Sequence, residues 1–341
     1  MKKTVMVLLL VLLCLCGCGE QSGQKEKQSK KATKEIFAMD TYMTITTYGE
    51  KAEEAATKAV SEIERLDNLL STGKNESEIA ILNENGSEIV SEDTAQLIAK
   101  SIELYQDTNG VFDISIYPLM KEWGFTTKKY KVPSDKTINH LLKNIEASKI
   151  EWNNKTNLVA LPEEMEIDLG GIAKGYACDL AKKKYQELGL DSGLISLGGN
   201  VYSFGTKPDG TAFIIGLRDP RGEDNDLMGN LTAPGKVVAT TGDYERYFEQ
   251  DGKRYHHVLD PKTGYPAQTD LIAVTIIAEE GALADFLSTT FFIAGKEAVL
   301  KNLDNDKFDI IAVDKEMKVY VSEGMKRNFQ LTNKENYQLA E

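Results

Sequence analysis

Two stretches of this chain hold the residue types that phosphate chemistry uses. The first is Asp168-Leu169-Gly170-Gly171-Ile172-Ala173-Lys174-Gly175. A strand-like run, Met165 to Asp168, leads into it, and a long amphipathic pattern follows. Glycines at such a junction let backbone approach a ligand closely, and a helix N-terminus draws anions to its free N–H groups. With a carboxylate and a lysine in the same turn, the pattern suggests a phosphate-bearing ligand. A tight strand-to-helix turn would use the same glycines. No Gly-Lys-Ser/Thr occurs, so this is not a Walker loop. The second stretch is Asp285, Ser288 and Thr289, spaced i, i+3, i+4 on one face of a helix expected over Gly281 to Ala294. Leu283, Leu287, Phe291 and Ala294 lie opposite. A solvated face usually carries Lys and Glu, so short oxygen-bearing residues mark a covered one. A carboxylate with hydroxyls suits a hard cation such as Mg²⁺. A helix packed on both sides around a capped aspartate would show the same spacing.

A third group sits on a hairpin. Tyr244 to Gln250 and Lys253 to Leu259 flank Asp251-Gly252, a strong two-residue turn signal. That turn sets Arg246 opposite His257 and Tyr247 opposite His256. Neighbouring strand residues point to opposite faces, so His256 and His257 cannot chelate one metal together. A histidine suits proton transfer near neutral pH, though a structural role would fit the same pattern. Thr240-Thr241-Gly242-Asp243-Tyr244 either binds phosphate or turns. Thr108-Asn109-Gly110-Val111-Phe112-Asp113 reads as a helix end followed by an aromatic and an acid. Cys178 falls within the helix after the glycine turn and reads as a buried structural thiol.

The elements that must position these residues are mixed. Phe37 to Tyr48 reads as a strand. Glu53 to Leu70 and Ser91 to Asp107 read as helices, the latter capped by Ser91 and stopped at Asn109-Gly110. Thr137 to Ala147 suggests a short helix, and Ile150 to Leu161 a hairpin. A helix from Ile172 to Leu188 closes at Gly189. Leu194 to Leu197, Ala212 to Leu217, Val237 to Thr240 and Leu271 to Ala278 read as strands. Phe308 to Val313 and Lys318 to Ser322 form a last hairpin. Without a regular βαβ rhythm, the pattern predicts an α+β (mixed α/β) fold. One large domain of intermixed helices and mainly antiparallel sheet would span residues 35–341.

The ends and the composition narrow the class. The chain has 341 residues, is 41% hydrophobic and carries a formal net charge of -13. Such acidity argues against a general nucleic-acid binder, which needs a basic face. Lys2 and Lys3 precede an apolar run from Val5 to Leu15 that is short for a membrane span. The run ends in Leu15-Cys16-Gly17-Cys18, which resembles the bacterial lipobox. That resemblance implies a signal peptide over residues 1–17, cleavage before Cys18, and lipidation of Cys18. Residues 18–34 then read as a disordered tether, rich in Lys and Gln. The expected location is the outer side of the cell membrane, lipid-anchored. Of four cysteines only Cys178 lies in the folded part, so no internal disulfide is expected there.

In this order the pieces resemble the bacterial FAD:protein FMN transferases of the ApbE type. Met39-Asp40-Thr41 is similar to the family's opening Met-Gly-Thr. Thr108 to Asp113 with Pro118-Leu119 and Trp123-Gly124-Phe125 is similar to its second block. Asp168 to Gly175 with Tyr176 and Asp179 resembles its glycine signature. Gly198-Gly199-Asn200, Thr240 to Tyr244, His257 to Pro261 with Thr263-Gly264, and Ala284-Asp285 with Ser288-Thr289 complete the series. The resemblance implies a T-fold-like domain. It implies FAD contacts at Met39, Val111, Phe112, Asp113, Asp168, Lys174 and Leu259. It implies Mg²⁺ held by Asp285, Thr289 and the Gly171 carbonyl, with Ser288 a further ligand or a bystander. The implied reaction moves FMN from FAD to a threonine of an acceptor protein and releases AMP. The acceptor would carry an Asp-x-x-Thr segment followed by two small residues. His257 is the candidate base, with Asp243 second.

Two other readings use the same residues. Water in place of threonine would give a Mg²⁺-dependent FAD pyrophosphatase. A surface lipoprotein that only binds flavin would need neither His257 nor the Asp285 group. The chain holds no Asp-x-x-Thr-small-small run of its own, which argues against its being the flavin acceptor.

Overall fold

The computed structural model describes residues 30–223 and 225–340. The expected signal peptide, Cys18 and most of the expected tether lie outside the described residues. In chain order, the hairpin β1 (Lys31–Ala38) and β2 (Thr41–Tyr48) leads into α1 (Ala52–Leu70), α2 (Glu78–Asn85), β3 (Ser87–Ile89) and α3 (Glu92–Asp107). Next come α4 (Tyr117–Glu122), α5 (Asp135–Leu141), β4 (Glu151–Asn153), β5 (Leu158–Ala160) and α6 (Ala173–Leu188). The following stretch is all strand: β6 (Ser192–Leu197), β7 (Asn200–Phe204), β8 (Ile215–Arg218), β9 (Leu227–Leu231), β10 (Val237–Gly242), β11 (Tyr247–Gln250), β12 (Lys253–His256) and β13 (Leu271–Ala278). The end holds α7 (Gly281–Ala294), α8 (Lys296–Lys301), β14 (Phe308–Asp314), β15 (Lys318–Val321), β16 (Phe329–Leu331) and β17 (Gln338–Leu339).

The framework is a nine-stranded sheet in the order β1-β2-β6-β7-β10-β13-β14-β15-β17. Its pairings are antiparallel except β15–β17. Helices α1, α6 and α7 pack with the sheet in the larger core cluster. A second cluster joins the sheet to the three-stranded β16-β9-β8 sheet. Covered on both faces, β13 is buried at all eight positions, which is why its sequence is an unbroken apolar run rather than an alternating one. The mixed, mainly antiparallel architecture agrees with the sequence reading.

Local differences have physical causes. The expected tether ends earlier than residue 34, because Lys31 to Lys34 pair with Ile45 to Tyr48. Ala32 is buried while Lys31 and Thr33 face out; an edge strand with one wet face carries as many polar residues as a tether does. The stretch Phe37 to Tyr48 is not one strand, because Met39 and Asp40 turn it at φ 48° and 59°. Two residues at positive φ make the tight turn that suits a hairpin. Aspartate tolerates that region better than most side chains, which explains Asp40 where the resembling family has glycine. Met165 to Asp168 joins no sheet. It is held instead by Asn83, whose side chain bonds Ile167 N and O at 2.8 and 2.9 Å. Asp168 N reaches the Ile114 carbonyl at 2.8 Å.

Candidate active site

A cavity of about 360 Å³ opens where the strand-end turns meet the starts of α6 and α7. Met39, Asp40 and Thr41 reach it from the β1–β2 turn, and Phe112 and Asp113 from the loop after α3. Asp168, Gly170, Gly171 and Lys174 come from the glycine segment, and Thr240, Thr241 and Gly242 from β10. Glu245 and Arg246 come from before β11, His257 and Leu259 from after β12, and Asp285 and Thr289 from α7. Segments far apart in the sequence thus converge on one space.

The α6–α7 crossing sets the position of Asp285. A Cβ on Gly175 would lie 2.0 Å from the Gly281 carbonyl oxygen and 2.8 Å from Asp285 Cβ. Only glycine permits that approach. At this distance Asp285 Oδ2 accepts the Gly175 N–H at 2.9 Å. Asp179 of α6 completes the clamp by accepting the first N–H groups of α7, Gly281 at 2.7 Å and Ala282 at 2.9 Å. No side chain of the Glu280 cap position does this, so the orphan donors of α7 are satisfied from its neighbour. Burial raises the Asp179 carboxyl to about 6, against the pull of those two N–H bonds. Gly175 therefore serves helix contact, where the sequence suggested ligand approach. Gly171 likewise makes room for the Phe112 ring, since a Cβ there would lie 2.6 Å from it.

The hydroxyls beside Asp285 form a directed chain. Ser288 is fully buried, and its Oγ donates to the Asp285 carbonyl at 2.8 Å. A hydroxyl has one proton to give, so Thr241, 2.7 Å away, donates to Ser288. Thr289, at 3.1 Å, donates in turn to Thr241. Thr289 thus spends its proton inward and keeps its lone pairs. The side-chain donors are a carboxylate and a hydroxyl oxygen, both hard, with the Gly171 backbone lining the same cavity. Among the described residues no cluster of three or more His, Cys, Asp or Glu forms a metal cage. One carboxylate with neutral oxygens fits Mg²⁺, which keeps waters and takes substrate phosphates to complete its shell.

His257 faces this set from the hairpin side. The register Tyr247↔His256 follows the sequence expectation, and His257 N donates to the Arg246 carbonyl at 2.9 Å. His257 Nδ1 lies 3.2 Å from the same carbonyl. A carbonyl only accepts, so Nδ1 carries the proton and Nε2 is left bare. Burial, with the Arg246 charge second, pushes the imidazole well below its ordinary value. His257 is therefore neutral at pH 7 and able to accept a proton. His256 points the other way, with Nε2 3.3 Å from the Ala267 carbonyl and its ring against Phe292.

Positive charge comes from side chains rather than from the glycine turn. Gly170 N donates to Asp168 Oδ1, Ile172 N and Ala173 N to the Leu169 carbonyl, and Gly175 N to Asp285. The expected anion-binding N–H groups are mostly taken. The Lys174 ammonium lies 3.0 Å from the Gly170 carbonyl and 3.9 Å from Asp285 Oδ2. Arg246 lines the cavity as well. It was visible in the sequence as the residue facing His257, but nothing there marked its side chain as functional. Burial raises the Asp168 carboxyl, and the Gly170 N–H and the Arg246 and Lys174 charges oppose the shift.

Three expected site residues stand elsewhere. Val111 lines a separate cavity beside Leu283, Leu287 and Phe291, because its neighbour Phe112 takes the inward direction. Asp243 is bound on both oxygens by Arg221, at 2.7 Å each, so it is not placed to act as a base. Ser288 lies behind Thr241 and contributes through the hydroxyl chain. Asp113 borders the cavity, but its oxygens accept from Ser115 N and Oγ and from Ala147 N at 2.8, 2.6 and 3.1 Å; it caps local backbone. Met39, Phe112, Asp168, Gly171, Lys174, Leu259, Asp285, Thr289 and His257 all line the space.

Comparison with known proteins gives a consistent picture. A model of the ApbE family matches residues 39–313. An FAD:protein FMN transferase of Klebsiella pneumoniae is 34% identical over 284 residues, covering 81% of this chain and 87% of the relative. The crystal structure of the ApbE protein of Thermotoga maritima superposes with a TM-score of 0.81 at 34% identity, covering 86% of this chain and 98% of that one. The Pseudomonas stutzeri flavinyl transferase ApbE, apo form, gives a TM-score of 0.75 at 28% identity, covering 85% and 92%.

Proposed function

This chain belongs to the ApbE family, and from that premise we propose that, as an FAD:protein FMN transferase, it moves FMN from FAD to a threonine hydroxyl of an acceptor protein and releases AMP. The acceptor segment is Asp-x-x-Thr followed by two small residues. The observation that carries this reading is His257, its Nδ1 3.2 Å from the Arg246 carbonyl, lining the same cavity as Asp285 and Thr289.

His257 Nε2 takes the proton of the attacking hydroxyl. The new bond joins that oxygen to the FMN-side phosphorus of FAD. The bond from this phosphorus to the bridging oxygen breaks, and AMP leaves with the electron pair. Lys174 and Arg246 bring positive charge to the diphosphate. Asp285, Thr289 and the Gly171 carbonyl would hold Mg²⁺. When bound, Mg²⁺ neutralises charge on the diphosphate and stabilises the departing phosphate. Thr241 and Ser288 keep the Thr289 lone pairs turned outward, and Phe112 supports Gly171 from beneath.

We place the protein on the outer side of the cell membrane, held through a lipidated Cys18. The lipobox-like Leu15 to Cys18 supports this placement.

Chelation tests the metal and product claims together. Purified protein, FAD, Mg²⁺ and a domain carrying the acceptor segment should release AMP in step with FMN bound to the domain. EDTA should stop both. AMP without bound FMN would support the pyrophosphatase, and unchanged FAD a flavin carrier.

A further inference from the structure

Phe37 and Tyr42 are 62% and 83% exposed. They face each other across the β1–β2 register, with ring centroids 5.1 Å apart in an edge-to-face pair. Beyond the pair that face carries Lys31, Thr33 and Glu35 on β1 and Thr44 and Thr46 on β2, and at its far end the half-buried Tyr48, whose ring packs against Phe213. The exposed aromatic pair thus stands at the end of the hairpin next to the turn. That turn is the one whose residues Met39 and Asp40, with Thr41, line the active-site cavity. β1 is the terminal strand of the large sheet, so no further strand of that sheet shields the pair on that side. In the sequence these aromatics read only as strand formers.

We propose that the Phe37–Tyr42 pair is where the acceptor polypeptide docks, just before its hydroxyl enters the cavity. The inference rests on the transferase reading. A threonine hydroxyl is two bonds from its own backbone, so the acceptor main chain itself must reach the cavity mouth. A folded acceptor brought that close covers the rim, and the rim at the β1–β2 turn carries this aromatic pair. Aromatic side chains are the residues that most often anchor protein contacts, joining a large apolar face to little conformational freedom. A patch of two rings suits a partner that must leave once modified.

The test is the double substitution Phe37→Thr/Tyr42→Thr, which keeps β-forming residues on both strands. The probe is a purified domain bearing an Asp-x-x-Thr-small-small segment, varied in concentration at saturating FAD and Mg²⁺. The KM for this domain should rise at least about tenfold, with kcat, FAD affinity by flavin fluorescence and melting temperature unchanged. Phe37→Trp/Tyr42→Phe should restore most of the wild-type KM. If the double variant melts early, Tyr42→Ser alone is read the same way, with a smaller rise expected. An unchanged KM would overturn the proposal. So would a parallel loss of FAD affinity, which would make the pair a prop for the turn. A change only in binding to phosphatidylglycerol vesicles, or only in self-association, would assign the pair to a membrane or a second copy and overturn it too. A wild-type chain that hydrolyses FAD but leaves the domain unmodified would instead remove the transferase reading beneath it.

Discussion

The Arg246 carbonyl holds the His257 backbone N–H and ring Nδ1 together, at 2.9 and 3.2 Å, and so fixes which nitrogen can act. The same residue's guanidinium helps keep the imidazole neutral. His257→Ala should slow FMN transfer by about 10²–10⁴-fold, while FAD affinity by flavin fluorescence stays within a few-fold. The pH profile carries a second signature. A base works when unprotonated, and a pKa held well below its ordinary value keeps it unprotonated in more acidic solution. The kcat/KM for FAD should therefore stay level down through the ordinary imidazole value of about 6.5 and fall only below it. A fall centred at that value would mean His257 is solvated or is not the base. Ser288 gives another residue-scale expectation. Ser288→Ala removes the acceptor that orders Thr241 and Thr289, so the Mg²⁺ concentration for half-maximal rate should rise roughly tenfold. Substitution of a direct ligand such as Asp285 should do far more. His257 and Thr289 were legible in the sequence because an Asp-Gly turn and an i, i+4 spacing fix faces locally. Asp243 was misread because its partner, Arg221, lies across a loop that no periodicity connects to it.

At the scale of elements, the contact between α6 and α7 decides whether the oxygen donors are placed at all. Gly175 and Gly281 meet backbone to backbone, and Asp179 ties the start of α7 to α6. Gly175→Ala would put a methyl against a carbonyl that cannot yield without moving a helix. Overpacking of this kind costs about 1–3 kcal/mol, to be read as a lowered melting temperature. Because the displaced helix carries Asp285 and Thr289, activity should also need more Mg²⁺; a stability loss without that shift would uncouple the crossing from the site. The sequence displayed these glycines openly but not their reason, since Gly281 is remote from Gly175 in the chain. The short strands β9 and β16 were harder to see than β8, which overlaps the strand expected over Ala212 to Leu217. Gly229 interrupts β9, and the β9–β16 pairing joins residues about a hundred positions apart. The β10–β13–β14 centre was plain, because a strand covered on both faces writes itself as an apolar run.

For the whole molecule, the described residues form one framework around one cavity that gathers most of the expected site. No helix among them is long and apolar enough to cross a membrane, and the attachment we propose is through a lipidated Cys18. The full chain expressed in bacteria should fractionate with membranes, and Cys18→Ala should release it or leave it unprocessed, read by fractionation and by the mass of the mature N-terminus. Activity of the released protein toward a soluble acceptor should be unchanged, because among the described residues the cavity lining begins at Met39. FMN transfer itself is read by the intact mass of an acceptor domain after incubation with this protein, FAD and Mg²⁺. The acceptor should gain one FMN phosphoester on the motif threonine, matched by AMP, with no gain on its Thr→Val variant and a greatly slowed gain with His257→Ala. FMN and AMP appearing in solution while the acceptor mass stays unchanged would contradict it.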